Sequence, residues 1–405
     1  MAQEEHGALY DLLAVRGVSR RDFVKYCSYI AGMLGLSEAA GPRIAAAVAK
    51  GAKLKPALWL NGGSCTGCTE SMAQVDTPDV ATIVLEILSL NYFETIMAAA
   101  GDWAEENIAD TIKEGRYLVI YEGSVMNGMD GNTLLVNGKK GTEILAEAAA
   151  EADAVIAVGA CAVDGGWVAA HPNPAGASGV QAYLDQEKIA TPVVNIPCCP
   201  MNPEWVVAMV VQWLLIAEDD PAVFLEKTDL AQVTYHDRYF DADVTLNYPA
   251  YVVASSIHDN CPRRGHFENG EFVTEFGSPE EAMGYCLYKV GCKGPQTFTQ
   301  CPVTRWNRSV SWCVHSGSPC IGCGGLSWVD NNAPFFKRLS SMQVGGDVGN
   351  VQPGTIGAIV GGVAVVGLVA HGLGMKAAGR IPDGPPTEEM KKYDRKRMAK
   401  KGGDK

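Results

Sequence analysis

Residues Pro56-Ala57-Leu58-Trp59-Leu60-Asn61-Gly62-Gly63 form a short apolar run that ends in a turn sequence. Runs of the same kind recur at Thr82 to Leu88, Tyr117 to Tyr121, Ala154 to Val158 and Pro192 to Ile196. Stretches typical of helices lie between them, for example at Trp103 to Lys113, Thr142 to Ala152 and Glu204 to Ile216. The alternation of strands and helices predicts an α/β domain with a parallel sheet and helices on both of its faces.

Cysteines follow several of these strands, at the edge where parallel sheets bind their ligands. Cys65 and Cys68 come after the first strand, and Cys161 comes after the strand at 154–158. Cys198 and Cys199 follow the strand at 192–196. Four thiolates from separate loops suit either zinc or a [4Fe–4S] cluster, and the Cys-x-x-Cys spacing alone does not choose between them.

Composition excludes several classes of protein. The 405 residues suggest two or three domains, and 47% apolar residues with 20% charged residues are typical of a globular chain. A formal net charge of −13 argues against a broad nucleic-acid surface. The 13 cysteines are too sparse for a disulfide scaffold, and their bunching favours metal sites.

The segment from Tyr235 to Asp330 lacks sustained alternation of strands and helices. It holds cysteines next to glycine or proline, in Gly291-Cys292, Cys301-Pro302 and Pro319-Cys320. Glycine and proline fix tight turns there and leave backbone N–H groups free for bound sulfur. Because such a segment buries little apolar core, we expect bound metal to organise it.

The N-terminus reads as an export signal. Arg20 and Arg21 precede an apolar stretch from Tyr26 to Ala40, and Ala47-Val48-Ala49 offers a small-residue cleavage site. This order predicts a signal peptide, and the paired arginines favour the twin-arginine type, which carries folded proteins. An amphipathic helix with a chance pair of arginines is the alternative.

The C-terminus carries an uncharged stretch between Asp347 and Lys376. Its core, Ile356 to Met375, has about the ~20 residues that a transmembrane helix needs, although a buried core helix is the alternative. The tail from Lys391 to Lys401 has seven Lys or Arg and one Asp, so the positive-inside rule places it in the cytoplasm. The sequence therefore predicts a C-terminal anchor with the acidic body on the outer side.

Seven motifs together resemble the small subunit of a membrane-bound [NiFe] hydrogenase over about residues 56–330. They are Cys-Thr-Gly-Cys-Thr-Glu-Ser (65–71), Gly-Ala-Cys (159–161), His-Pro-Asn-Pro (171–174), Cys-Pro-Met-Asn-Pro (199–203), His-Asp-Asn-Cys-Pro-Arg (258–263), Gly-Cys-Lys-Gly-Pro (291–295) and Pro-Cys-Ile-Gly-Cys (319–323). The resemblance implies a signal peptide at 1–49, a flavodoxin-like domain at 50–225 and an irregular iron–sulfur domain at 226–345. A transmembrane anchor at 346–375 and a cytoplasmic tail at 376–405 follow.

The resemblance also implies three iron–sulfur clusters. The proximal [4Fe–4S] cluster falls on Cys65, Cys68, Cys161 and Cys199, and the distal [4Fe–4S] cluster falls on His258, Cys261, Cys286 and Cys292. The medial cluster falls on Cys301, Cys320 and Cys323, with Cys313 at a position where most members have proline. The selenium-containing members are similar to this chain in having a cysteine there, and this implies a medial [4Fe–4S] cluster. A [3Fe–4S] cluster remains the alternative if Cys313 is not a ligand.

Two further positions follow from the resemblance. Gly67 and Gly166 stand where oxygen-tolerant members carry two extra cysteines, so we expect an ordinary proximal cluster. Cys198 stands where the family usually has glycine. It is either a small buried residue or a residue with a ligand or redox role, and both interpretations stay open.

The implied function is electron transfer in a periplasm-facing uptake hydrogenase. The chain would be the electron-transfer subunit, with no catalytic residue of its own, and would bind a large subunit that carries the nickel–iron centre. Its electrons would pass to a membrane cytochrome b or another quinone-linked acceptor. The alternatives are an iron–sulfur electron-transfer module without a hydrogenase partner, a zinc-rich structural protein and a subunit of an energy-converting complex.

Overall fold

A computed structural model describes residues 20–33, 41–42, 45, 55–75, 88–216, 228–336, 367–378, 388–389 and 391–392. The chain divides into two compact units, Met1–Arg338 and Leu339–Lys405. The predicted cleavage site at Ala47-Val48-Ala49 lies outside the described residues.

The first unit is built on a five-stranded parallel sheet, as predicted. Its strands have the spatial order β2-β1-β3-β4-β5. They are β1 (Lys55–Asn61), β2 (Leu88–Phe93), β3 (Leu118–Glu122), β4 (Ala154–Val158) and β5 (Val193–Ile196). This is the flavodoxin-like strand order, in which the chain reverses direction across the sheet between β1 and β3. Most of the strand predicted at Thr82 to Leu88 lies outside the described residues, and β2 begins at its last residue.

Helices cover the sheet. They are α1 (Arg20–Met33), α2 (Gly67–Met72), α3 (Asp102–Glu114), α4 (Gly141–Ala150), α5 (Ala160–Asp164), α6 (Val180–Glu187) and α7 (Pro203–Ile216). Of these, α3, α4 and α7 lie close to the three helical stretches that the sequence predicts. Alternate residues of β1 face opposite sides of the sheet. Trp59 belongs to one core cluster, together with Trp205 of α7. Leu58 joins the other cluster with Leu145 of α4. Short antiparallel pairs link 125–126 with 177–178 and 135–136 with 139–140.

The cysteine-rich part contains little regular structure, as predicted. It starts with an antiparallel hairpin that the sequence pattern did not predict, β6 (Leu230–Asp237) and β7 (Ala242–Pro249). The helices that follow are α8 (Ala250–Val253), α9 (Arg264–Glu268), α10 (Pro279–Ala282), α11 (Cys301–Thr304) and α12 (Trp328–Asn332). Two 3₁₀ turns lie at Leu287–Val290 and Gly294–Gln296.

The predicted C-terminal transmembrane helix is corrected by the structure. Among the described residues, no helix is both long enough and apolar enough to cross a membrane. Residues 367–377 are helical. The rest of the predicted core, residues 356–366, lies outside the described residues.

Candidate metal centres

The first candidate site lies at the carboxyl ends of β1 and β3, where the strand order reverses. The loop after β1 carries Cys65 and leads into α2, which contains Cys68. Thr66 adopts left-handed backbone angles just before that helix. The last residue of β3, Glu122, lies beneath the loop and accepts a hydrogen bond from the backbone N–H of Cys68 at 3.0 Å. The sheet thus fixes the position of the Cys-x-x-Cys pair through a buried carboxylate.

The proximal group, which we define as Cys65, Cys68, Cys161 and Cys199, is brought together from three loops. The charges of Cys161 and Cys199 act on Cys68, and the charge of Cys65 acts on both Cys161 and Cys199. The backbone N–H of Met201 donates to Sγ of Cys68 at 3.5 Å. Burial, followed by the nearby Glu122, raises the pKa of Cys68. A bound cation is therefore needed to hold these sulfurs as thiolates side by side.

Glycines line the proximal group closely. A Cβ at Gly159 would lie 2.5 Å from Sγ of Cys68, and one at Gly67 would lie 3.1 Å from Sγ of Cys65. Gly166 has a positive φ of 46°, and a Cβ there would lie 2.7 Å from the backbone nitrogen of Cys161. The backbone approaches a sulfur at Gly67 and Gly159, and approaches the backbone of Cys161 at Gly166, because no side chain is present.

The medial group, Cys301, Cys313, Cys320 and Cys323, lines a cavity of about 730 Å³. Cys301 begins α11 and contacts the Thr299 hydroxyl, with 3.0 Å between Oγ1 and Sγ. Cys313 is exposed as a residue, but it borders the same cavity and its electrostatic partners are Cys323 and Cys301. All four predicted medial residues therefore lie around one space.

Cys198 also reaches the medial group. Its side chain is fully buried, and Cys301 and Cys323 act on it electrostatically. These two groups, followed by burial, raise the pKa of Cys198, whereas Cys198 lowers the pKa of Cys323. Cys198 therefore lies close to two medial sulfurs.

The distal group, His258, Cys261, Cys286 and Cys292, borders a small cavity of about 20 Å³. Burial and the nearby Arg264 lower the pKa of His258, which favours a neutral imidazole able to bind metal. The three thiols are electrostatic neighbours: Cys292 acts on Cys261 and Cys286, and Cys261 acts on Cys286. The structure therefore brings all four predicted distal residues to one place.

The three groups adjoin one another. Cys199, a proximal residue, borders the same cavity as the medial cysteines, and the charge of Cys323 acts on it. The N–H of Cys320, a medial residue, donates to Sγ of Cys292 in the distal group at 3.3 Å. The groups therefore lie in the order proximal, medial, distal.

The donor set fits iron–sulfur clusters. Eleven cysteines and one histidine are ligands of the kind that such clusters use. No set of three or more His, Cys, Asp or Glu side chains within the described ranges is placed to hold a single metal ion. The medial thiols instead surround a cavity much larger than one ion.

Two polar residues near the thiols were missed by sequence reasoning. Glu122 is 2% exposed and accepts hydrogen bonds from the proximal loop, and Thr299 contacts Cys301. The position of Glu122, directly after the apolar run at 117–121, was the available signal, because ligands of parallel sheets bind at the carboxyl ends of the strands.

Two protein-family descriptions match the chain. Residues 65–213 match the 20 kDa subunit of NADH ubiquinone oxidoreductase. Residues 254–336 match the C-terminal part of the NiFe/NiFeSe hydrogenase small subunit.

Individual relatives agree with the second description and span nearly the whole chain. The quinone-reactive Ni/Fe-hydrogenase small chain of Wolinella succinogenes is 35% identical over 368 residues, covering 89% of this chain and 96% of the relative. The periplasmic [NiFe] hydrogenase small subunit 1 of Nitratidesulfovibrio vulgaris is 36% identical, covering 80% of this chain and 95% of the relative. A solved [NiFeSe] hydrogenase chain from Desulfovibrio vulgaris Hildenborough superposes with a TM-score of 0.63 at 32% identity, covering 70% of this chain and 98% of that chain.

Proposed function

Because the chain belongs to the family of NiFe/NiFeSe hydrogenase small subunits, we propose that it conducts electrons through three iron–sulfur clusters in series. The chain is the electron-transfer small subunit of a NiFe hydrogenase, an oxidoreductase that acts with a large subunit. The number of clusters, their types and their ligands are the proposal. The ligands are the proximal, medial and distal groups.

The serial order of the three groups carries this proposal. Cys199 of the proximal group borders the medial cavity, and the amide of Cys320 in the medial group donates to Sγ of Cys292 in the distal group. Each group therefore adjoins the next. Clusters held in this order would accept and release one electron at a time, as hydrogen oxidation requires.

The distal group is suited to passing electrons out of the protein. His258 is half-buried, and its ring packs edge-on against Phe267 with 4.5 Å between centroids. A neutral imidazole in place of a thiolate removes one negative charge from the ligand set. An acceptor then approaches a less charged end of the relay.

We assign the chain to the periplasmic side, after export by a twin-arginine signal with Arg20 and Arg21 as the pair. Relatives with the printed name periplasmic support this assignment. The quinone-reactive name of another relative supports a quinone-linked acceptor, of which a membrane cytochrome b is one form.

The test is to purify the complex without air and to measure iron, acid-labile sulfide and electron paramagnetic resonance. We expect about twelve irons per chain, from three four-iron clusters, and reduction of all three by hydrogen. Zinc in place of iron would overturn the proposal. Clusters that hydrogen does not reduce, in a chain that purifies without a large subunit, would instead favour an electron-transfer module.

A further inference from the structure

Phe267 lies at the centre of an aromatic cluster beside His258. Its ring packs edge to face against the His258 ring, with 4.5 Å between centroids and 73° between planes. It makes two more contacts of the same kind, with Phe272 at 5.7 Å and with Tyr288 at 5.4 Å, both at 89°. Such pairs are attractive because the positive edge of one ring meets the negative face of the other. Within the described residues, this one side chain therefore contacts three other aromatic rings.

The rings of this cluster come from the segments that carry the distal group. Phe267 itself lies in α9, the short helix that follows Cys261. Phe272 forms a β-bridge with Cys286. Tyr288 lies in the 3₁₀ turn that begins directly after Cys286. The backbone that presents the distal ligands therefore also fixes the position of the Phe267 ring.

An imidazole ligand needs orientation in a way that a thiolate does not. Its nitrogen donates through a lone pair in the plane of the ring, so the tilt of the ring decides how well the lone pair points at iron. In many metal sites a hydrogen bond to the second ring nitrogen fixes this tilt. Within the part of the chain that the structure describes, no group forms such a hydrogen bond with the His258 ring. The edge-to-face contact with Phe267 is a directional contact that can replace it.

We propose that Phe267 is a positioning residue, which holds the His258 imidazole in the orientation needed to bind iron and thereby tunes the reduction potential of the distal cluster. This inference rests on the proposed distal cluster. A well-aligned imidazole donates more electron density to iron, which stabilises the oxidised state and lowers the potential. Without the Phe267 ring, the imidazole would tilt over a range of angles, its donation would weaken and the distal potential would rise.

The test uses the purified complex of both subunits and compares Phe267→Leu with Phe267→Tyr. Leucine keeps an apolar side chain but removes the ring, whereas tyrosine keeps the ring. Cluster potentials are measured by redox titration followed by electron paramagnetic resonance, and the coupling to the His258 nitrogen by the pulsed form of that method. In Phe267→Leu we expect a higher distal potential and a broader spread of nitrogen couplings, with the other two potentials unchanged. Phe267→Tyr should match wild type.

A second background separates orientation from packing. His258→Cys gives the distal cluster a ligand without a ring plane, so adding Phe267→Leu to it should no longer shift the distal potential. Loss of iron caused by Phe267→Leu alone, but not when it is combined with His258→Cys, would also support orientation. An equal shift, or an equal loss of iron, in both backgrounds would mean that Phe267 only packs the distal segments, and would overturn the inference.

The matched control is Phe276→Leu, because Phe276 is exposed and its ring contacts Phe336. It should leave all three potentials unchanged. A wild-type distal potential and nitrogen coupling in Phe267→Leu would overturn the inference and leave the proposed clusters intact. Wild-type protein whose reduced clusters show no nitrogen coupling would instead refute His258 as a ligand, and with it the proposed distal site.

Discussion

The backbone N–H of Cys68 donates a 3.0 Å hydrogen bond to Oε1 of Glu122, at the end of the central strand β3. The same carboxylate accepts from four more donors, which are Trp59 Nε1 at 3.2 Å, Ser64 Oγ at 3.0 Å, Thr69 N at 3.0 Å and Thr69 Oγ1 at 2.6 Å. Since a carboxylate only accepts hydrogen bonds, it can satisfy all of them at once. One buried acid therefore holds the loop that presents two proximal cysteines.

Replacing this acid by its amide should weaken the loop. In Glu122→Gln, the side-chain NH₂ group must face at least one of the five donors, which leaves a buried donor without an acceptor. We expect a loss of about 2–3 kcal/mol in the free energy of unfolding, measured by urea denaturation without air. Iron bound at the proximal group should also decrease.

Glu106→Gln is the matched control, because Glu106 is exposed on α3. It should change neither the urea midpoint nor the iron content. Equal stability of Glu122→Gln and wild type would contradict a holding role for Glu122.

Asp164 should make stability depend on pH. Burial raises its pKa to about 6, against the effect of the backbone N–H groups of Ser327 and Gly166, which donate to it. Two nearby charges act in opposite directions: Asp237 raises the pKa of Asp164, and Arg238 lowers it. Because the folded protein binds this proton more tightly than the unfolded chain, the contribution to stability is present at low pH and is lost as pH rises through about 6.

Between pH 5 and pH 7, one group with such a raised pKa lowers the free energy of unfolding by about 1 kcal/mol. In Asp164→Asn the fall in unfolding free energy over that range should be smaller by this amount, measured by urea denaturation at both pH values. Asp110→Asn, a change at an exposed position of α3, should keep the wild-type pH dependence. If Asp164→Asn kept the wild-type dependence of unfolding free energy on pH, that result would contradict a raised pKa for Asp164.

The sequence predicted the sheet and the places where cysteines leave it, because apolar runs mark buried strands and ligands gather at their carboxyl ends. It did not predict the contacts of Glu122, since its donors come from a loop more than fifty residues away in the chain. The sequence also did not predict that Cys198 lies near Cys301 and Cys323, because these residues are far apart in the chain. The predicted C-terminal span is contradicted, because no helix among the described residues is long and apolar enough to cross a membrane.

The proposed export signal depends on Arg20 and Arg21. Replacing both with lysine keeps the charge but removes the paired guanidinium groups, which the twin-arginine type requires. We expect this chain and its large subunit to stay in the cytoplasm, because we propose that the partner is exported bound to this chain; fractionation and hydrogenase activity measure this. Arg16→Lys, a conservative change outside the pair, should leave export intact. Normal periplasmic activity in the double variant would refute the assignment.

The type of medial cluster depends on Cys313. Four protein sulfurs hold four irons, and the loss of one ligand favours the loss of one iron. Intact protein oxidised without air should therefore lack a strong [3Fe–4S] signal, because an oxidised [4Fe–4S] cluster is diamagnetic. Cys313→Pro should create that signal and lower the iron content from about twelve to about eleven per chain, while dye-linked hydrogen oxidation largely survives.

The control for this change lies in the same cavity. Ser316 borders the cavity and its hydroxyl pairs with that of Ser311, so Ser316→Ala disturbs the wall without removing a sulfur. It should leave the oxidised protein without the [3Fe–4S] signal. A strong signal in undamaged wild-type protein, unchanged by Cys313→Pro, would mean that three cysteines hold a three-iron cluster and that Cys313 is a thiol beside it. The placement of Cys313 near both Cys301 and Cys323 favours the four-iron outcome.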